Sequence, residues 1–260
     1  MPREPKKQEE AGEKNIEGAE KFARKEVEVE MSSDWIPRTT LGKKVLSGEV
    51  NDINKLFSEG IKIIEPEVLD ILVPNLEKEI ILIGGSTGKG GGIRRTPFRR
   101  TSRMHKSGRR YRVSVMVAVG NKNGYVGVGL ASGPPGKNEN VVDKALNKAK
   151  LNLIPVRRGC GSWECKCGTS HSIPFAVMGQ AGSVRVKLMP APKGVGLVVN
   201  DEVKKIMRLA GISDIWVKSR GQTSTRVNLI RAVYGALKKL DTYRTNPEFD
   251  EKVGLTIGSA

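Results

Sequence analysis

The sequence is short of the residues on which enzymes and secreted scaffolds are usually built. Its 260 residues include two histidines and three cysteines. An odd number of cysteines argues against a disulfide framework, and two imidazoles leave almost nothing for histidine acid–base chemistry. Aromatic residues make up 5% of the chain, so its cores must be aliphatic. No apolar run comes near the ~20 residues of a membrane span, and the polar N-terminus does not read as a signal peptide. Neither paired carboxylates nor a Ser-His-Asp set stands out. These shortages point to a cytoplasmic protein that is not an enzyme and has no membrane partner.

Positive charge is what the chain has in excess. Lys and Arg number 45 against 28 Asp and Glu, a net charge of +17. Such an excess favours nucleic acid as partner. The excess is concentrated at residues 84–112, GGSTGKGGGIRRTPFRRTSRMHKSGRRYR, with ten basic residues and no acidic one. Unpaired charges cost too much to bury, so this run needs either water or a polyanion. Its basic residues come partly in pairs (Arg94-Arg95, Arg99-Arg100, Arg109-Arg110), with Arg103, Lys106 and Arg112 beside them. Glycines, Phe98 and Tyr111 lie between. That mixture favours a phosphate backbone, above all RNA; the bland alternative is a solvated loop. The glycines do not form a nucleotide-binding motif. Gly88-Lys89 is followed by Gly90 rather than Ser or Thr, and Ile83 stands where the first glycine should be.

The rest of the chain divides around this run. Residues 1–33 mix charges of both signs without an apolar face and are expected to be a disordered tail. Residues 34–83 read as a helical adaptor, with short helices near Asn51–Phe57 and Pro66–Leu72 and an apolar IILI at Ile80–Ile83. Residues 84–156 form a unit of their own. Val113, Val115, Val117 and Val119 alternate as in a strand. Asn121-Lys122-Asn123-Gly124 turns a hairpin, making Lys122 a candidate contact, and YVGVGL returns. Gly127 and Gly129 leave room for a close neighbour on the return strand. A helix capped by Asn138 or Asn140 follows, with Val142, Ala145, Leu146 and Ala149 on one side. The unit reads as two or three antiparallel strands and a helix.

Residues 157–172 hold every cysteine and one of the two histidines. Cys160, Cys165, Cys167 and His171 are spaced C-x4-C-x-C-x3-H. Three thiolates and an imidazole make a complete ligand shell for structural zinc; three reduced thiols in a glycine-rich loop are the alternative. Trp163 could pack over this loop. Residues 173–245 read as a second unit: a strand over Ser183–Met189, a turn, a strand at Val195–Val199 and a helix from Asn200 to Leu209 closed by Gly211. A strand at Asp214–Lys218 and a long helix capped by Thr223 or Ser224 complete it. Arg185, Lys187, Lys193 and Arg220 could extend an RNA face there. Residues 246–260 read as a polar tail.

The stretches SGRRYRVSVMVAVGNKNGYVGVGLASG, NKAKLNLIPVRRG, GSVRVKLMPAPKGVGLVV and DIWVKSRGQTSTRVNLIRAVYGAL resemble the family of protein five of the small ribosomal subunit, over roughly residues 36–245. The long N-terminal region and CGSWECKCGTSH resemble its archaeal branch. The resemblance implies an α+β fold: a double-stranded-RNA-binding-like N-terminal domain, then an α/β C-terminal domain with a left-handed βαβ crossover. It also implies contact with 16S ribosomal RNA, with small-subunit proteins four and eight and with the mRNA entry region, and a role in translational accuracy. The family's RNA-contacting loop maps onto Thr101–Arg110, including Arg103, Lys106, Ser107, Gly108 and Arg109. A free double-stranded-RNA-binding regulator is the alternative.

Overall fold

The computed structural model describes residues 35–87, 93–165 and 167–258. Residues 1–33, expected as a tail, and the glycines of 88–92 lie outside them. Residues from Arg38 onward form one compact unit.

Three short helices open it: α1 (Thr40–Leu46), α2 (Ile53–Ser58) and α3 (Glu67–Leu72). Thr39 caps α1 by accepting the Gly42 N–H at 3.0 Å, and Pro66 precedes the first turn of α3. The segment then enters β1 (Glu77–Ile81), which pairs antiparallel with the far half of β5. The helical adaptor thus contributes a strand to the sheet that follows it.

That sheet is larger than the two or three strands expected. Its spine is β5 (Gly108–Gly120), flanked on one side by β6 (Tyr125–Gly133), which pairs with β7 (Leu153–Pro155). Two strands share the other edge end to end: β4 (Arg99–His105) pairs with residues 108–114 and β1 with residues 116–120. Val115, Val117 and Val119 face helix α4 (Asn138–Leu151), whose Val141, Ala145 and Ala149 are buried against them. Gly127 and Gly129 permit this contact, because a Cβ there would fall 2.2 and 2.1 Å from the carbonyl oxygens of Ala149 and Ala145. The N-cap of α4 is Lys137, and neither Asn138 nor Asn140 caps it.

The opposite face carries Met116, Ala118, Val126 and Val128. They join one continuous core with the second half of the chain, through Val203, Ile206 and Met207 of α5 (Asp201–Leu209). There β9 (Val177–Ala181), β10 (Val184–Pro190), β11 (Leu197–Val198) and β12 (Ile215–Arg220) form a sheet in the order β11-β12-β10-β9. β10 runs antiparallel to β9 and β12, while β11 is parallel to β12 with α5 crossing between them. Helix α6 (Arg226–Thr242) buries Ile230, Val233, Leu237 and Leu240, and the sheet supplies Val184, Val186 and Leu188 to the same core. Its N-cap is Thr225, one or two residues beyond the expected Thr223 or Ser224.

Two segments depart from expectation. The glycine-rich half of the basic run has the composition of a loop, yet β2 (Gly84–Thr87) and β3 (Ile93–Thr96) pair there in register. The polar tail at 246–260 contains α7 (Pro247–Val253) and β13 (Thr256–Ile257). β13 pairs with β8 (Arg157–Arg158), and Val253 is buried. Backbone pairing anchors this segment, so the polarity of its side chains hides it.

Candidate nucleic-acid interface and metal centre

Strands β4 and β5 project a two-stranded arm beyond the core. All seven residues of β4 are exposed, as are Arg109 to Arg112 of β5; burial begins at Val113. The register pairs Arg100 with Val113, Thr101 with Arg112, Ser102 with Tyr111, Arg103 with Arg110 and Met104 with Arg109. Directly opposed residues share a face. One face therefore carries Arg99, Arg103, Arg110, Arg112 and His105; the other carries Arg100, Met104, Arg109 and Tyr111. The turn is Lys106-Ser107, closed by Gly108 at φ 106°, where an L side chain would be strained.

Like charges placed directly opposite one another destabilise a ladder, and Arg103 and Arg110 are so placed. Among the described residues none of these arginines has a carboxylate partner. Local contacts hold the arm instead. The Arg100 guanidinium lies 4.0 Å from the centre of the Tyr111 ring, a cation–π contact. Arg110 donates to the Ser107 hydroxyl at 3.0 Å. A hollow of about 330 Å³ is lined by Thr101, Ser102, Arg103, His105, Arg110, Tyr111 and Arg112. Electrostatically the arm is an open claim on anions.

The other candidates fall into groups. Arg94 and Arg95 lie on β3, paired with Ser86 and Gly85. Lys122, at φ 57°, stands beyond the far end of β5. It is ion-paired with Glu77, and its backbone N–H donates to Leu209, so the structure does not bring it to the arm. Arg185, Lys187 and Arg220 sit together on the exposed face of the second sheet. Lys193 lies apart from them, exposed in the turn between β10 and β11.

The Cys/His loop is organised in the opposite manner, by internal contacts to the core. Ligand atoms of Cys160, Cys165, Cys167 and His171 all lie within 4.8 Å of one another, and Cys165 Sγ is 4.0 Å from His171 Nε2. The other ring nitrogen, Nδ1, is 2.9 Å from Asp214 Oδ2, with both side chains buried. A carboxylate oxygen accepts from Nδ1–H, which leaves Nε2 as the ring nitrogen that faces the sulfurs. A carboxylate behind a metal-binding imidazole is the usual support for such a ligand. Asp214 is itself fixed, since its Oδ1 accepts from the Gly194 and Gly196 N–H groups at 3.1 and 2.7 Å.

The thiols differ. Burial pushes Cys160 up to about 11. Hydrogen bonds from Thr169 to the exposed Cys167 pull it down to about 6, which favours its thiolate. The loop backbone is tight: a Cβ on Gly161 would lie 1.9 Å from the Pro174 carbonyl oxygen. The Cys160 N–H donates to the Val253 carbonyl at 2.8 Å, and Gly254 packs on the Gly168 backbone. The C-terminal segment thus clasps the loop. Trp163 is 84% exposed and does not pack over it. The donor set and its carboxylate support are those of a tetrahedral metal-binding cluster, in which the three thiolates and His171 Nε2 would be the ligands.

The fold and these sites define a class: a basic α+β protein that displays cations on sheet surfaces, with no catalytic set among its described residues. Residues 97–157 match the model of the ribosomal protein S5 N-terminal domain, and residues 179–250 match that of its C-terminal domain. The small ribosomal subunit protein uS5 of Nanoarchaeum equitans is 47% identical over 229 residues, covering 87% of this chain and 96% of that protein. The protein of the same name from Methanococcus maripaludis is 44% identical over 245 residues, covering 92% and 98%. That from Thermofilum pendens is 47% identical over 212 residues, covering 80% and 95%. The chain belongs to the uS5 family of small-subunit ribosomal proteins, a family of structural proteins and not of enzymes. No helix among the described residues is long and apolar enough to cross a membrane.

Sequence reasoning misses Asp214, the carboxylate behind His171. Asp214 lies 43 residues from the histidine it supports, and no local pattern marks it.

Proposed function

We propose that the chain is a structural constituent of the cytoplasmic small ribosomal subunit and grips 16S ribosomal RNA with its β4–β5 arm. The observation that carries this reading is the cluster of exposed arginines on the arm, Arg103 and Arg110 directly opposed among them, without a carboxylate partner among the described residues. A bound phosphate run turns their mutual repulsion into attraction and releases counterions. Arg99, Arg100, Arg103, Lys106, Arg109, Arg110 and Arg112 are the contacts, with Ser107 and Gly108 shaping the tip. Arg94 and Arg95 extend the grip along β3. Residues 84–156 and 173–245 are its two domains, and the loop between them, 157–172, holds one structural zinc. The metal supplies a cross-link between loop and core, and no reaction is routed through it. By its family the chain meets small-subunit proteins four and eight, lines the mRNA entry and supports accuracy of decoding.

Sedimentation tests the placement. In cell lysate the protein should travel with the small-subunit particle, whereas a profile confined to the free pool would return it to the free RNA-binding regulators.

A further inference from the structure

We infer that the open face of the second sheet is a second RNA surface, built for a single-stranded segment whose phosphates lie on a grid of four cations while a base stacks on Trp216. The inference rests on the reading of the chain as RNA-binding but concerns a surface remote in sequence from the arm.

The sheet alternates cleanly. Val184, Val186 and Leu188 of β10 point into the core, so Arg185 and Lys187 point out. Arg185 stands directly opposite Arg220 of β12, and Lys187 opposite Lys218. All four side chains are exposed. This is a two-by-two array of like charges, spaced about 5 Å across the strands and about 7 Å along them at the backbone. Opposed like charges cost stability. No Asp or Glu occurs in β9, β10, β11 or β12, and none of the four cations has an ion pair among the described residues.

The next row along the sheet changes character. Met189 faces Trp216, and Val198, 52% exposed, flanks Trp216 on its other side. Trp216 is half-buried, and its indole N–H makes no hydrogen bond among the described residues. An aromatic platform on a sheet, adjoining a basic track, is the arrangement by which single strands are held: cations follow the backbone and the ring takes a base. An acidic protein segment would satisfy the four charges and leave the indole without a role.

The test uses the full chain and a fluorescently labelled unstructured uridine oligomer, with affinity followed across salt concentrations. Replacing Arg185, Lys187, Lys218 and Arg220 by Ser should lower the salt slope by about 3, at roughly 0.7 per phosphate on single strands. Trp216→Leu should weaken binding about tenfold at every salt with the slope unchanged. Trp216→Phe, which keeps a ring and guards against a folding defect, should restore most of the affinity. If the grid variant binds with an unchanged slope while a variant of the β4–β5 arm loses slope, this inference falls and the RNA reading stands. If neither variant changes, the RNA reading falls with it. Intact oligomer binding by the grid variant, with loss of a neighbouring protein from the subunit particle, would overturn the inference and assign the face to protein.

Discussion

The β4–β5 arm and the Cys/His loop are two ways of handling polar chemistry on one scaffold. The arm leaves its charges unsatisfied: clustered, exposed arginines, one pair of them directly opposed, with a cation–π contact and one hydroxyl to hold them. The loop satisfies what it can internally. Its histidine is backed by a carboxylate, that carboxylate accepts two backbone N–H groups, and the Cys160 N–H is fixed to Val253. On the proposed function, the part of the arm is binding and the part of the loop is stability, which makes the two separable by substitution.

The most damaging change should be Cys160→Ser. Metal analysis should fall from one equivalent to none, and the melting temperature should drop by about 10 °C or more, given what structural zinc contributes and how a domain of this size responds. RNA affinity and its salt slope should hold. Conversely, changing Arg99, Arg100, Arg103, Arg109 and Arg110 to Ser should lower the salt slope on duplex RNA by about 4.5, near 0.9 for each phosphate no longer neutralised. Its melting should stay within about 2 °C of the parent. A fall comparable to that of Cys160→Ser would break the separation.

Smaller effects sharpen it. Gly161→Ala forces a methyl group against the Pro174 carbonyl and should destabilise the protein by about 3 kcal/mol in denaturant titration. Asp214→Asn should weaken metal binding about 10- to 100-fold in a chelator competition. Unchanged retention would mean that Asp214 only staples the turn at Gly194. Tyr111→Leu removes the cation–π contact at an exposed site. It should speed amide exchange on β4 by an amount matching about 0.5–1 kcal/mol.

The two regions also differ in how visible they are from sequence. The arm announces itself through charge, which is local, and the valine alternation of β5 locates the strand that carries it. What stays hidden is its architecture, because a run of Arg, Thr and Gly has no apolar face from which to read a period. β9 escapes for a related reason: VMGQA has a glycine at its centre, where a Cβ would lie 2.0 Å from the Ala232 carbonyl of α6. The four side chains of the Cys/His cluster are legible because they fall within twelve residues. Asp214 and the clasp at residues 247–257 are not, since one acts across the fold and the other through main-chain atoms.

The clasp has a consequence in time. Cys160 to His171 leave the ribosome that makes this chain roughly 80 residues before Val253 and Gly254, the residues that close over them. At about 5–20 residues per second that interval lasts roughly 4 to 16 s. Throughout it the three thiols are already made, and the backbone that anchors their loop is not. A newly made chain therefore passes through an interval in which the loop lacks its C-terminal anchor, and that interval ends only when Val253 accepts the Cys160 N–H and β13 pairs with β8.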